Sequence, residues 1–275
     1  MFKCGILIHR SNDLKNYVLG ELTMKKVLSL ILAAALILCF AACSQQPATE
    51  TPDANATVIK MGTNAAFPPY EFKEGEAFKG IDVDIATEIA KELGAELEVV
   101  DMEFDSIITS VQQGEVDFGM AGMTVTDERK LEVNFTSSYA TGVQVVIVPE
   151  DSEIADLDGL KDKKIGTQLG TTGDIYSKDD YGEENVVSYS KGADAIIALK
   201  GGDVDAVIID NEPAKAFVAE NEGLKILETE YAIEDYAIAV KKENTELLDK
   251  INAALEKLTA DGTIDKIIAN YISAE

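Results

Sequence analysis

Strand-like and helix-like segments alternate along the chain from Thr57 onward, and this order most constrains how the chain can fold. A strand-like run at 57–63 is followed by helical spacing of apolar residues at 81–94 and by a second strand-like run at 96–103. The alternation continues until two helical stretches near the end of the sequence. Strands that alternate with amphipathic helices are typical of a parallel sheet covered by helices. We therefore predict an α/β fold.

A faint internal repeat predicts two similar α/β lobes. The segments SVQQGEVDFGMAG (110–122) and ALKGGDVDAVIID (198–210) both read as a helix end, a glycine, Val-Asp and an apolar strand. Any helix–glycine–strand unit gives a similar pattern, so a chance likeness is the alternative. Ligands of open α/β sheets bind beyond the carboxyl ends of the strands. With strands ending at Gly122 and Asp210, we predict that these residues face one cleft from opposite sides.

The N-terminal part of the sequence is predicted to serve export. From Met24 the chain has two lysines and an apolar run, the layout of a secretory signal, so we predict a signal peptide at 24–42. Residues 1–23 are interpreted as an upstream extension that is not used. Residues 43–56 are polar and predict a flexible tether. An uncleaved anchor is the alternative.

Cys43 follows two alanines and resembles the lipidated cysteine of bacterial lipoproteins. Phe40 stands where those proteins usually have leucine, three places before the cysteine. Cys39 is the rival site, but the large Leu38 before it disfavours cleavage. We predict cleavage before Cys43, lipidation of that residue and attachment to the membrane through the lipid.

The charge of the chain and the residues missing after Cys43 exclude several classes of function. The formal net charge is -26, which repels polyanions, so we expect no nucleic-acid partner. The single histidine, His9, and two of the three cysteines precede Cys43. The predicted mature chain therefore has no histidine-based nucleophile pair, no His/Cys metal cluster and no disulfide. We expect no metal and no cofactor.

Arg129 is the only arginine that remains once the predicted signal is removed, because Arg10 is the only other arginine. Lysine supplies the other positive charges of the mature chain. A guanidinium can hold a carboxylate with two parallel hydrogen bonds, whereas an ammonium is a point charge. Arg129 therefore predicts a carboxylate ligand. An ion pair with Asp127, Glu128 or Glu132 on a solvated face is the alternative.

Other candidates lie at predicted strand ends. Thr171 and Thr172 open a helix after a glycine-bearing turn, where they could bind a small anion or merely cap the helix. Asp210 ends an apolar run and suits an ammonium, with a helix cap as the alternative. Phe67 and Phe104 could line a cleft or fill the core. Together with Arg129, these residues complement a free amino acid.

These motifs resemble the polar amino-acid-binding proteins of ABC transporters, the bacterial extracellular solute-binding family 3. Four stretches match family signatures in order: FPPYEFKEGEAFKGIDVDIATEIAKELG, GEVDFGMAGMTVTDERKLEVNFT, IGTQLGTTGDI and GGDVDAVIID. The likeness runs from Thr57 to the end of the sequence. It implies a two-lobe periplasmic-binding-protein fold of type II with two hinge strands. The implied bounds are 57–138 plus 240–275 for lobe 1, 145–233 for lobe 2, and 139–144 and 234–239 for the hinge strands.

The resemblance also implies which residues bind the ligand. Arg129 takes the ligand carboxylate and Asp210 the ammonium, while Phe67 and Phe104 line the side-chain pocket. The full set is Asn64, Phe67, Phe104, Gly122, Thr124, Arg129, Gln168, Thr171, Thr172 and Asp210. Glutamine- and histidine-binding members usually carry aspartate at Asn64, and glutamine-binding members carry lysine at Gln168 and histidine at Ile209. These departures lead us to expect a polar, uncharged amino acid.

The resemblance finally implies an extracytoplasmic protein that delivers a free amino acid to an ABC permease. We expect a monomer, held at the outer face of the cell membrane by its lipid. A ligand that bridges both lobes favours their closed arrangement. The alternatives are a ligand-sensing module and an enzyme, such as a dehydratase-like relative, on the same fold. Nothing in the sequence marks an acid or base beside Arg129, so we expect no enzymatic activity.

Overall fold

The structure is a computed structural model in which residues 57–272 are described; the predicted signal, Cys43 and the tether lie outside them. The strands are β1 (Thr57–Thr63), β2 (Ala66–Phe67), β3 (Glu71–Glu74), β4 (Ala77–Lys79), β5 (Ala95–Asp101), β6 (Phe118–Gly119), β7 (Val133–Phe135), β8 (Ala140–Pro149), β9 (Ile165–Gln168), β10 (Val186–Tyr189), β11 (Ala206–Asp210), β12 (Leu224–Ile226), β13 (Ala232–Tyr236) and β14 (Ala239–Lys241).

The α-helices are α1 (Ile81–Glu92), α2 (Ile107–Gln113), α3 (Asp127–Glu132), α4 (Thr172–Tyr181), α5 (Gly192–Gly201), α6 (Asn211–Glu220), α7 (Thr245–Ala260) and α8 (Thr263–Tyr271). Short 3₁₀ turns occupy Phe104–Ser106, Leu157–Leu160 and Glu183–Asn185. Within residues 57–272, no helix has the length and apolar character needed to cross a membrane.

The first sheet has the strand order β5-β1-β6-β14-β7. Strand β1 runs parallel to β5 and β6, whereas β14 runs antiparallel to β6 and β7. Helices α1, α7 and α8 pack together on this sheet, and its core includes Met61, Phe118 and Val240. We call this sheet, with α1–α3, α7 and α8, the first lobe. The late strand β14 lies inside the sheet, so both ends of the described chain build this lobe.

Helix α1 shows how the sequence builds this core. Ile81, Ile85 and Ile89 recur at intervals of four residues, which places them on one face of a helix, and all three are fully buried. Burying one such side chain stabilises a fold by about 1.5–3 kcal/mol. Asp84 lies in the first turn of α1, where an acid suits the helix dipole. The apolar face and the acidic first turn therefore both favour a helix that begins at Ile81.

The second sheet has the strand order β10-β9-β11-β8-β12, and β13 pairs with the early part of β8. Strands β9, β10 and β11 are parallel, whereas β8 runs antiparallel to β11, β12 and β13. Ile147, Ile165 and Val207 are fully buried within this sheet. We call this sheet, with α4–α6, the second lobe. The expectation of parallel pairing holds for β5, β1 and β6 in the first sheet and for β10, β9 and β11 in the second, and it fails where β14 and β8 reverse direction.

Strands β8 and β13 overlap the segments that the resemblance marks as hinges. They pair antiparallel from Ala232 opposite Gln144 to Tyr236 opposite Ala140. The second predicted segment, 234–239, begins inside β13 and ends at the first residue of β14. The chain therefore passes between the lobes twice along neighbouring hydrogen-bonded strands, and the bending of these strands remains a prediction.

One predicted strand end differs in the structure. Strand β11 ends at Asp210 as expected, but β6 ends at Gly119 rather than at Gly122. The chain leaves the sheet after Gly119, and the amide of Gly122 donates to the carboxylate of Asp82 at 2.8 Å instead of to a strand. The small antiparallel sheet β2-β3-β4 was also not predicted. It places Phe67 and Glu71 opposite each other at the edge of the first lobe.

Candidate functional site

All ten residues predicted to bind the ligand line one cavity, with contributions from both lobes. The other lining residues are Ile209, which the sequence marked only as a departure from glutamine-binding members, and five that were missed: Glu71, Ala121, Gln144, Ile208 and Tyr236. The structure therefore brings the predicted residues together, while their roles as ligand contacts remain predictions.

Arg129 is 7% exposed, although it lies on the short helix α3. The hydroxyl of Thr126 caps this helix by accepting from the Arg129 amide at 3.2 Å. The side-chain Nη1 donates to the Thr124 carbonyl at 2.7 Å, and Nη2 donates to the Gly170 carbonyl of the second lobe at 3.0 Å. The guanidinium also lies 5.4 Å from the centre of the Phe104 ring. Arg129 is thus held by carbonyls and a ring across the two lobes.

Burial lowers the pKa of Arg129, while the nearby Glu234 opposes that shift. A guanidinium has five donors, and carbonyl groups accept from two of its nitrogens. The expected alternative, an ion pair with the acids of its own helix, is not the arrangement found, because the side chain is directed into the cavity. A buried cation facing a cavity is suited to an anionic group.

Asp210 faces the same cavity from the end of β11. Its Oδ1 accepts from the Glu212 amide at 3.2 Å and caps α6, so the helix-cap alternative is also correct. Its Oδ2 accepts from the Val143 amide at 3.0 Å and from the Tyr236 hydroxyl. Burial raises the pKa of Asp210 to about 7, and these hydrogen bonds oppose the rise. A cationic group in the cavity would favour the ionised form.

The threonines of the site have different partners. Thr171 caps α4 by accepting from the Asp174 amide at 3.2 Å, as the helix-cap alternative expected. Thr124 and Thr172 approach each other across the lobes, with 3.4 Å between their hydroxyl oxygens. Both donate to Oε2 of Glu234, at 3.1 and 2.8 Å. A single carboxylate oxygen on β13 therefore holds one hydroxyl from each lobe.

Amides and aromatic rings form another part of the wall. Nε2 of Gln168 donates to Oδ1 of Asn64 at 3.0 Å, which joins the second lobe to the first. Nδ2 of Asn64 donates to the Met102 carbonyl at 2.7 Å. Phe67 stacks on Tyr70 with 5.8 Å between ring centroids. This part of the cavity offers amide groups and ring faces to a side chain.

Glu71 is the missed residue with the largest chemical consequence. It is 1% exposed and lines the cavity at the start of β3. Its pKa is raised well above its usual value by burial and by the neighbouring carboxyl of Asp82. The position of Glu71 directly after Pro-Pro-Tyr only weakly indicates a site residue, because no feature of the neighbouring sequence shows that this acid is buried. Gln144 is more clearly indicated as a site residue, since this polar side chain interrupts the apolar run of β8.

Within the described residues, no group of three or more His, Cys, Asp or Glu side chains is arranged to hold a metal ion. The chemical character of the cavity lies instead in its opposite charges, Arg129 on the first lobe and Asp210 on the second. Two α/β lobes joined by paired strands, with a charged cavity between them, define a type II periplasmic-binding-protein fold. The predicted fold class is therefore confirmed.

The comparisons with known proteins identify the family. Residues 59–274 match the model of the bacterial extracellular solute-binding proteins, family 3, and the chain belongs to this family. It is 33% identical over 258 residues to the arginine-binding extracellular protein ArtP of Bacillus subtilis, covering 92% of this chain and 100% of that protein. Proteins of this family bind substrates for transporters and are not enzymes, which confirms the expectation of no enzymatic activity.

Solved structures agree with this assignment. An ancestral arginine-binding protein bound to glutamine superposes with a TM-score of 0.75 and 42% identity, over 79% of this chain and 98% of that one. An ancestral arginine-binding protein bound to arginine gives a TM-score of 0.74 and 42% identity, over 78% of this chain and 98% of that one. Relatives at the same level of identity have thus been seen with a cationic and with a neutral amino acid.

Proposed function

We propose that this protein captures a free amino acid with a polar side chain outside the cytoplasm and delivers it to an ABC transporter permease. One observation carries the proposal: a buried guanidinium, Arg129, and a buried carboxylate, Asp210, face one cavity from different lobes. The carboxylate and the ammonium of an amino acid match this pair. A ligand that holds both ends stabilises the closed lobes, because only the closed form offers both contacts.

The side-chain end of the cavity supports a cationic ligand, with arginine as the first candidate. The expectation of an uncharged ligand rested on Asn64 standing where relatives have aspartate. Glu71 adds a carboxyl to this wall, and a guanidinium suits a carboxyl flanked by ring faces. The named arginine-binding relatives favour the same candidate.

Glutamine is the second candidate, because specific features of the cavity favour a neutral side chain as well. Asn64 and Gln168 present amides that can exchange hydrogen bonds with another amide. An ancestral relative has been solved with glutamine bound. This candidate keeps the expectation of a polar, uncharged ligand.

The proposal is tested by thermal unfolding and calorimetry with the twenty amino acids. A ligand present at a thousand times its Kd stabilises the native state by about 4 kcal/mol and raises the melting temperature. We expect arginine, glutamine or both to do so. Agmatine, which is arginine without its carboxylate, is the matched control and should give no comparable shift because Arg129 lacks its partner. A flat response to all twenty amino acids would overturn the proposal.

A further inference from the structure

Two buried carboxyl groups contact each other at the wall of the cavity. Asp82, in the first turn of α1, is fully buried, and Glu71 is almost so. Each carboxyl is among the groups that shift the pKa of the other, so the two side chains lie close together. Two ionised carboxylates in contact repel strongly in a buried site, so such a pair generally keeps a proton.

The backbone brings the two acids together. The first amides of α1 donate to the loop before β3, from Ile81 to the Pro69 carbonyl at 3.0 Å and from Asp82 to the Tyr70 carbonyl at 2.9 Å. Gly80 makes this approach feasible, because a Cβ there would lie 2.1 Å from the Tyr70 carbonyl oxygen and its φ is 125°. The start of the helix is therefore fixed beside Glu71.

The hydrogen bonds around the pair leave one oxygen of each carboxyl without a donor. Oδ2 of Asp82 accepts from the Gly122 amide and from the Tyr139 hydroxyl, each at 2.8 Å. Oδ1 of Asp82 and Oε2 of Glu71 are buried and have no donor among the described residues. Two carboxylate oxygens can only accept, whereas a protonated carboxyl donates. One proton between the two carboxyl groups satisfies both of these oxygens.

The other titratable groups around the pair add no positive charge that would replace the proton. Asp210 acts on Glu71 from the end of β11, and Tyr139 and Tyr70 are the tyrosines that interact with these acids. Burial raises the pKa of both tyrosines, so they are neutral in solution near neutral pH. Burial likewise raises the pKa of Asp82 to about 7.

We propose that Glu71 and Asp82 share one proton, and that this proton leaves for the solvent when a cationic side chain enters the cavity. Glu71 lines the cavity and Asp82 lies behind it, so the pair sets the charge that the ligand side chain meets. A guanidinium replaces the proton as the positive partner of the pair. A neutral side chain leaves the proton in place and hydrogen-bonds to the protonated carboxyl of Glu71, so the pair keeps a single negative charge. Glu71 and Asp82 are thus specificity-determining residues that let one cleft accept both classes of ligand.

This inference rests on the proposed function, and a matched pair of ligands tests it. Arginine and citrulline have nearly the same shape, but only arginine is charged at its side chain. Calorimetry at pH 7 in buffers of different ionisation enthalpy measures the protons released on binding. Release from Asp210 is common to both ligands because both carry the ammonium. We expect arginine to release about one proton more than citrulline, and the Glu71→Gln variant to lose this difference.

A second measurement uses the unaltered protein. Release of one proton makes affinity rise about tenfold per pH unit. The affinity for arginine relative to citrulline should therefore increase from pH 6 to pH 8 and approach a constant value above the range in which the pair loses its proton. Equal proton release for the two ligands, with an affinity ratio independent of pH, would overturn the inference while leaving the proposed function intact. Binding of citrulline without arginine would do the same, whereas failure of every amino acid to bind overturns both.

Discussion

At the scale of single residues, Arg129 is the most testable assignment. We expect Arg129→Lys to weaken amino-acid binding by more than tenfold. Lysine keeps the charge but loses the planar fork, and a hydrogen bond to a charged group contributes about 1.5–3 kcal/mol. Isothermal calorimetry with the best amino-acid ligand gives the affinity. Lys130→Gln is the matched control, because Lys130 is an exposed neighbour on α3 that pairs with Asp127. Unchanged affinity in Arg129→Lys would refute the carboxylate assignment.

Single residues differ in how far the sequence reveals them. Arg129 stands out by composition and Asp210 by its place at the end of an apolar run. Glu71 does not, because its burial follows from the approach of α1 to the loop before β3, and local sequence does not report that distance. The same reason explains why Tyr236 was missed: its contact with Asp210 depends on strand pairing between β13 and β8.

At the scale of elements, the crossing strand β8 has little space beside Gly142. A Cβ at Gly142 would lie 2.3 Å from the Tyr236 hydroxyl oxygen and 2.6 Å from Oδ2 of Asp210. We therefore expect Gly142→Ala to lower both the melting temperature and ligand affinity, since overpacking of this kind costs about 1–3 kcal/mol. Thermal unfolding and calorimetry measure the two effects. Thr141→Ala, at the exposed neighbouring position, should change neither.

If Gly142→Ala matched the unaltered protein in both measurements, the close packing of β8, Tyr236 and Asp210 would not matter for closure.

Elements with a strong period were predictable from the sequence. The strand β1 and the helix α1 occupy the predicted places, because burial on one face sets their pattern. The short strands β2, β3, β4 and β7 were not predicted, since two to four residues are too few to show a period.

At the scale of the whole molecule, Cys43 is expected to decide where the protein resides. It lies outside the described residues, so the lipid anchor remains a prediction from the signal layout. In a bacterium that processes lipoproteins, Cys43→Ala should move the protein from the membrane fraction to the soluble extracytoplasmic fraction. Cys39→Ala is the control and should stay with the membrane. Fractionation and immunoblotting report the result, and retention of Cys43→Ala in the membrane pellet would contradict the anchor.

The arrangement of the lobes was only partly accessible from the sequence. The faint repeat and the four family signatures predicted two α/β lobes facing one cleft. They did not predict that Gln168 would reach Asn64, or that Thr124 and Thr172 would share Glu234. Contacts between the lobes depend on how the two complete lobes pack together. The periodicity of the sequence within either lobe does not indicate that packing.

The position of β14 has a consequence for how the protein is assembled. This strand separates β6 from β7 in the first sheet, yet it follows the whole second sheet in the chain. Non-local strand pairing of this kind is slow, because a long loop must close before the strand can pair. A chain emerging from its N-terminus can complete the second lobe while β6 and β7 still have unpaired edges. Ligand capture therefore begins only when nearly all of the chain has been released for folding, and the first lobe, although begun first, is finished last.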